Sequence, residues 1–158
     1  MSNVRTINAK ARSDMFKFVD MTKSGVQKVN REVLLEIGRR LVMRSPVGDP
    51  SKWHPPYWPK GYIPGHFKNN WQVGIDAKPI GIIPGVDYSG AASIERLSHL
   101  GRWTVGHTYY FVNNLPYAYA LEMGHSTQCP PLGMIGKIKR EFAQIVAEKV
   151  ADFKGGVK

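Results

Sequence analysis

Residues 26–46 read VQKVNREVLLEIGRRLVMRSP, and this stretch decides the fold. Val26, Val29, Val33, Ile37 and Leu41 recur at spacings of three and four, with Leu34 widening the stripe. That spacing puts them on one face of an α-helix. Arg31, Glu32, Glu36, Arg39 and Arg40 take the other faces. Glu36 and Arg40 make a favourable i,i+4 pair, whereas Glu32 and Glu36 repel. Ser45-Pro46 closes the helix, because the residue before a proline disfavours the α conformation. Upstream, the helical pattern starts near Asp14. Residues 1–12 read as an extended, polar arm, and Gly25 predicts a bend.

Downstream, residues 46–66 carry six prolines, which excludes a regular helix or a central strand. The same segment holds Trp53, Tyr57, Trp58 and Tyr62, unlike a flexible Gly/Ser linker. Such aromatics either fold back on the domain or dock on a neighbour. Asn70 to Asp76 alternates apolar and polar residues and reads as a strand. Residues 77–88 are Gly/Pro-rich and irregular. Ala91 to His99 reads as a short helix with Ile94 and Leu97 inward and Gly101 as its stop. Thr104 to Asn113 is β-rich, and Tyr117 to Met123 fits one or two helical turns started by Pro116. Met134 to Phe153 is a second amphipathic helix, with Ile135, Ile138, Phe142, Ile145, Val146 and Val150 inward. Gly155-Gly156 releases a flexible tail at 154–158. The expected fold is α+β in a single domain, 1–158. It comprises a long N-terminal helix, a small, mostly antiparallel sheet, a short middle helix, and a C-terminal helix packed on the sheet.

Composition narrows the function without choosing it. The chain has 158 residues, a net charge of +10 and ordinary globular hydrophobicity at 42%. Basic charge admits nucleic acid, an anionic membrane or an acidic protein. It is scattered, however: residues 1–45 hold ten Lys/Arg against four Asp/Glu, with no run of five like charges. A sequence-reading DNA domain concentrates its charge on one stripe. The single cysteine, Cys129, excludes an internal disulfide and a Cys-rich zinc site, and fits a reducing compartment such as a bacterial cytoplasm. No stretch approaches 18 apolar residues, so no membrane span is expected, and Met1 to Arg12 lacks the apolar region of a secretory signal.

Chemistry is hard to find. His54, His66, His99, His107 and His125 show no metal-binding spacing. There is no Gly-x-Ser-x-Gly elbow, no GxGxxG and no GxxxxGK[ST]. Cys129 has only His125 nearby, which is weak support for an activated thiol. Asp49, Asp76, Asp87, Glu95 and Glu122 are isolated carboxylates. The expectation is a protein with no catalytic, cofactor or metal site.

The most distinctive string runs from Asn113 to Met134: NNLPYAYALEMGHSTQCPPLGM. It reads as a strand end, a turn and a short helix, with Gly124 suited to a helix C-terminus. Glu122 is its one acid in an apolar, aromatic neighbourhood. It is either a surface charge or the partner of a cation across a subunit contact. The string resembles the small tail-completion or neck components of long-tailed bacteriophages. Members carry Asn-x-x-Pro-Tyr-Ala-x-x-Leu-Glu-x-Gly-x-Ser-x-Gln-Ala-Pro-x-Gly-Met. Asn113, Pro116, Tyr117, Ala118, Leu121, Glu122, Gly124, Ser126, Gln128, Pro130, Gly133 and Met134 match in order. Cys129 replaces the alanine, and Pro130-Pro131-Leu132 is one residue longer. Upstream, Ser45-Pro46-Val47-Gly48-Asp49 and Phe67-Lys68-Asn69-Asn70-Trp71 are similar to two further family segments, with a longer Pro/aromatic stretch between them. The resemblance covers roughly residues 14–153.

The resemblance implies a structural virion protein at the head–tail junction, with no cofactor and no enzymatic activity. It implies a ring of identical copies whose partners are head-completion or connector proteins and tail-terminator or tail-tube proteins of the same phage. Genome DNA passes nearby without specific binding. Trp53, Tyr57, Trp58, Tyr62, Tyr117 and Glu122 are the expected interface residues, since Trp and Tyr anchor interfaces. A strongly basic lumen would hold phosphates, so most Lys/Arg of residues 5–44 are expected to face protein or solvent. The alternative is a sequence-independent nucleic-acid-binding module, with Trp and Tyr near Lys52, Lys60 and Lys68 stacking on bases.

Overall fold

The computed structural model describes residues 2–49, 51, 63–99, 104–124 and 132–156. Its elements are α1 (Ser2–Arg44), α2 (His66–Asn69), β1 (Trp71–Ile75), α3 (Ala91–His99), β2 (Tyr109–Asn113), α4 (Ala118–Glu122) and α5 (Gly133–Gly156). The fold is α+β, with helices around a two-stranded antiparallel sheet that pairs Trp71 with Asn113 and Ile75 with Tyr109.

Two expectations at the chain ends are corrected. Residues 2–12 are not an extended arm but the first turns of α1. Nothing in them breaks a helix: there is no proline, the first glycine is Gly25, and Ala9 to Arg12 are good helix formers. At the other end α5 continues through Gly155 to Gly156, so the flexible tail does not begin at 154. Gly25 does not interrupt α1 either. It is buried against the Phe153 ring, and a Cβ there would stand 2.9 Å from Cζ. A glycine at this point lets α5 approach α1 closely.

α5 runs antiparallel to α1, since Arg44 meets Glu141 at one end and Gly25 meets Phe153 at the other. Its main neighbours are α1 and α4, not the sheet. Two five-residue strands offer little surface, whereas α1 presents a long apolar face. Val33, Leu41 and Val42 of α1 join Met134, Ile138 and Ile145 of α5 in the core, with Phe67, Trp71, Val73, Leu97 and Leu115. The expected inner face of α5 is only partly inward: Ile138 and Ile145 are buried, but Ile135 and Phe142 are exposed.

Trp71 ties the sheet to the end of α1. Its indole N–H donates to Ser45 Oγ at 2.6 Å, and that hydroxyl donates to the Leu41 carbonyl at 2.7 Å. α3 is fixed at its start by the buried Asp87 carboxylate, which accepts from the backbone N–H of Gly90 and Ser93 and from the Ser93 hydroxyl. Burial pushes the Asp87 carboxyl up, but these bonds outweigh it and bring it below the usual range.

Across the α1–α5 seam, the Arg40 guanidinium reaches Glu141 (2.9 Å) and Glu148 (3.1 Å) and Arg44 takes Glu141 at 2.7 Å, while within α1 Glu36 holds Arg40 at 2.7 Å and Arg39 at 2.8 Å. Arg39 and then Arg40 hold the Glu36 carboxyl down at about 2, from an ordinary 4.5. Arg44 and then Arg40 lower Glu141 as well. The folded carboxyls therefore lie below their unfolded values, and the unfolded chain binds more protons in acid. The stability they contribute is complete above about 4.5 and is lost as pH falls toward about 2. Urea midpoints are expected to drop across that window, and Glu36→Gln is expected to flatten the drop; an unchanged pH slope in the variant would show that the seam is not the origin.

Candidate interaction surface

Residues 113–124 and 132–136 form a joint between α4 and α5. Asn113 Nδ2 donates to the Phe67 carbonyl at 2.9 Å, and its Oδ1 accepts the Leu115 N–H. Leu115 is buried, and the Tyr117 ring lies 6.2 Å from that of Phe67. Tyr117, expected at an interface, thus packs on its own core. Glu122, at the end of α4, caps α5. Its carboxylate accepts the backbone N–H of Met134 (2.9 Å), Ile135 (3.0 Å) and Gly136 (2.9 Å). Those are donors that a helix start leaves unpaired, and a negative charge there also meets the positive end of the helix dipole. Neither alternative read from the sequence for Glu122 foresaw this role, because the cap comes from a different helix and no local spacing rule finds it.

Gly133 makes the cap possible. Its φ is +66°, and a Cβ would overlap the Glu122 carboxyl group and carbonyl. Trp53, Tyr57, Trp58 and Tyr62 lie outside the described residues, as do Gly101, His54, His125 and Cys129.

The remaining histidines do not converge. His66 Nε2 is 3.1 Å from the Ile83 carbonyl, His99 stands 3.7 Å from Glu95 on the surface of α3, and His107 Nδ1 is 2.6 Å from Asp76 Oδ2. Asp76 has a positive φ of 59° at the strand end, and the Thr108 N–H, then His107, lower its carboxyl. Among the described residues, no group of three or more His, Cys, Asp or Glu is placed to hold a metal ion. Nor is any described helix long and apolar enough to cross a membrane.

The structure also exposes apolar surface. A groove of about 640 Å³ runs between α1 and α5, walled by Val26, Val29 and Val33 on one side and Phe142, Val146 and Phe153 on the other. Val26 is 51% exposed and Phe142 49%. A second patch sits on the 77–86 loop, where Ile80 is 93% exposed. This loop is irregular, as expected, but it is firmly held. Asn114 Nδ2 donates to the carbonyls of Pro79 and Gly81, Gln72 donates to Gly81, and Asn70 bonds Ile83 through both its amide atoms. Single exposed apolar residues need no explanation, whereas a contiguous apolar groove marks an interaction site.

Protein-family models, curated proteins and solved structures give no match to this chain.

Breaking the cap tests the joint. Glu122→Ala is expected to cost about 1–2 kcal/mol in urea unfolding, the scale of a lost helix cap, with Glu122→Gln losing less. Gly133→Ala is expected to cost more than either, because it adds backbone strain to the loss of the cap. Equal stability of Glu122→Ala and the parent chain would refute the assignment.

Proposed function

We propose that this chain is a structural component of a tailed-phage virion, placed at the head–tail junction and working there as a ring of identical copies. The observation that carries the reading is the open apolar groove between α1 and α5, a surface suited to holding another protein. Sequence resemblance supplies the place: among the residues that match the phage tail-completion and neck components, Asn113, Tyr117, Glu122 and Gly133 build the α4–α5 joint. A rigid joint with apolar surface beside it suits a part that transmits no chemistry and fixes neighbours in position.

Charge fits the same reading. Arg39, Arg40 and Arg44 are engaged by Glu36, Glu141 and Glu148, so these cations of α1 are paired within the chain rather than offered to DNA phosphates. Ring closure requires that each copy present two different surfaces, one meeting the next copy's other.

A phage carrying a stop codon in this reading frame is expected to yield DNA-filled heads and free tails by electron microscopy, and adding the purified chain is expected to join them. Complete infectious particles that lack the chain would overturn the proposal. In the same assay, a chain carrying both Trp53→Ala and Trp58→Ala is expected to lose joining activity while keeping its circular dichroism spectrum and thermal midpoint. Loss of the folded state in that variant would instead place the two tryptophans in the chain's own core.

A further inference from the structure

We propose that the N-terminal half of α1 is an arm that lies in the α1/α5 groove of a second copy of this chain. The proposal deepens the ring reading above and rests on it for its biological setting.

The first argument is length. α1 has 43 residues and α5 has 24. Their antiparallel contact runs from Arg44 with Glu141 to Gly25 with Phe153, and α5 ends three residues later. About 20 residues of α1, about 30 Å of helix at 1.5 Å per residue, run on past the partner. Most helical stability in proteins comes from a packed face. Met15 and Phe16, on this projecting stretch, are 57% and 60% exposed.

The second argument is pattern. Ile7, Ala11, Met15 and Phe18 follow one another at spacings of four, four and three, and Thr22 carries the same face on to Val26, Val29 and Val33. The arm's stripe thus continues the face that walls the groove. Ile7 to Phe18 covers the same number of residues as Thr22 to Val33, so about three turns of helix meet about three turns of groove. Laying the apolar face of a helix into such a groove is a recurrent mode of recognition.

The third argument identifies the occupant. The arm and the groove wall belong to one unbroken helix, and residues 2–24 contain neither glycine nor proline. The arm therefore has no hinge by which to fold back into its own groove. A second copy supplies both a groove for this arm and an arm for this groove. Each copy gives its arm to one neighbour and its groove to the other, so every copy is held on two sides. The contact is heterologous, so it generates a ring if its rotation closes.

Photo-crosslinking tests this on the purified full-length chain without assuming a register. Met15→Cys in a Cys129→Ser background is labelled with benzophenone maleimide and mixed with heavy-isotope Cys129→Ser chain, which has no thiol to label. Expected are crosslinks from position 15 to heavy peptides within 22–33 or 142–153, reduced at least tenfold when the heavy chain carries Val26→Asp. Val26 is half exposed, so that variant is expected to keep its fold, which circular dichroism checks. Crosslinks only between arms, crosslinks elsewhere, or none at all overturn the proposal. The readout separates the two readings. A chain found in particles but without these crosslinks loses the arm alone, and crosslinks from a chain absent from particles leave the arm and sink the junction.

Discussion

The antiparallel seam between α1 and α5 is the contact on which the rest of this molecule depends. Val33, Leu41 and Val42 on one helix and Met134, Ile138 and Ile145 on the other supply apolar area. The Arg40 guanidinium, oriented by Glu36 of its own helix, reaches Glu141 and Glu148 of α5 and fixes the sliding position of the two helices. Apolar packing alone tolerates small shifts along the axis, whereas a planar donor fork engaged by two carboxylates of the facing helix does not. Gly25 closes the far end by letting the Phe153 ring come within contact of the α1 backbone.

Short polar side chains then hang every other element on that seam. Ser45 receives the Trp71 indole, Asp87 opens α3, Asn113 reaches back to the α2 carbonyl of Phe67, and Glu122 opens α5. All but the Asp87 bonds link segments twelve or more residues apart, and all satisfy buried or half-buried groups that would otherwise cost free energy. A two-stranded sheet is too small to organise a domain by itself. Here these connectors, as much as the strands, set where the loops sit. The 77–86 loop shows it: glycines and prolines deny it regular structure, yet asparagine side chains hold its carbonyls.

With Ser45, Asp87, Asn113 and Glu122 engaged inside the fold, apolar side chains such as Val26, Ile80 and Phe142 stand on its surface. That division of labour suits the proposed role in assembly, where a rigid part presents sticky surface to its neighbours. The proposed arm and groove share one helix, so the element that builds the core also carries both halves of the proposed contact between copies.

By itself the sequence determined the long helices and both strands, though not the single turn of α2, because periodicity of apolar residues is a local property. The three-and-four spacing from Val26 to Leu41, the alternation from Asn70 to Asp76, and the Ala91–His99 helix were all legible, as was the α+β class. The first turns of α1 were not, since polar composition alone does not distinguish an extended arm from a helix, and no residue there breaks a helix. Nor could spacing show that α5 prefers α1 to the sheet, or that Phe142 faces outward, because a stripe says which residues share a face and not what covers it. Glu122 is the clearest case: a carboxylate eleven residues before a helix acquires its meaning only when the chain between them folds back. Tertiary structure decided the seam, the cap and the groove, because each is made by groups whose nearness in space has no counterpart in their order along the chain.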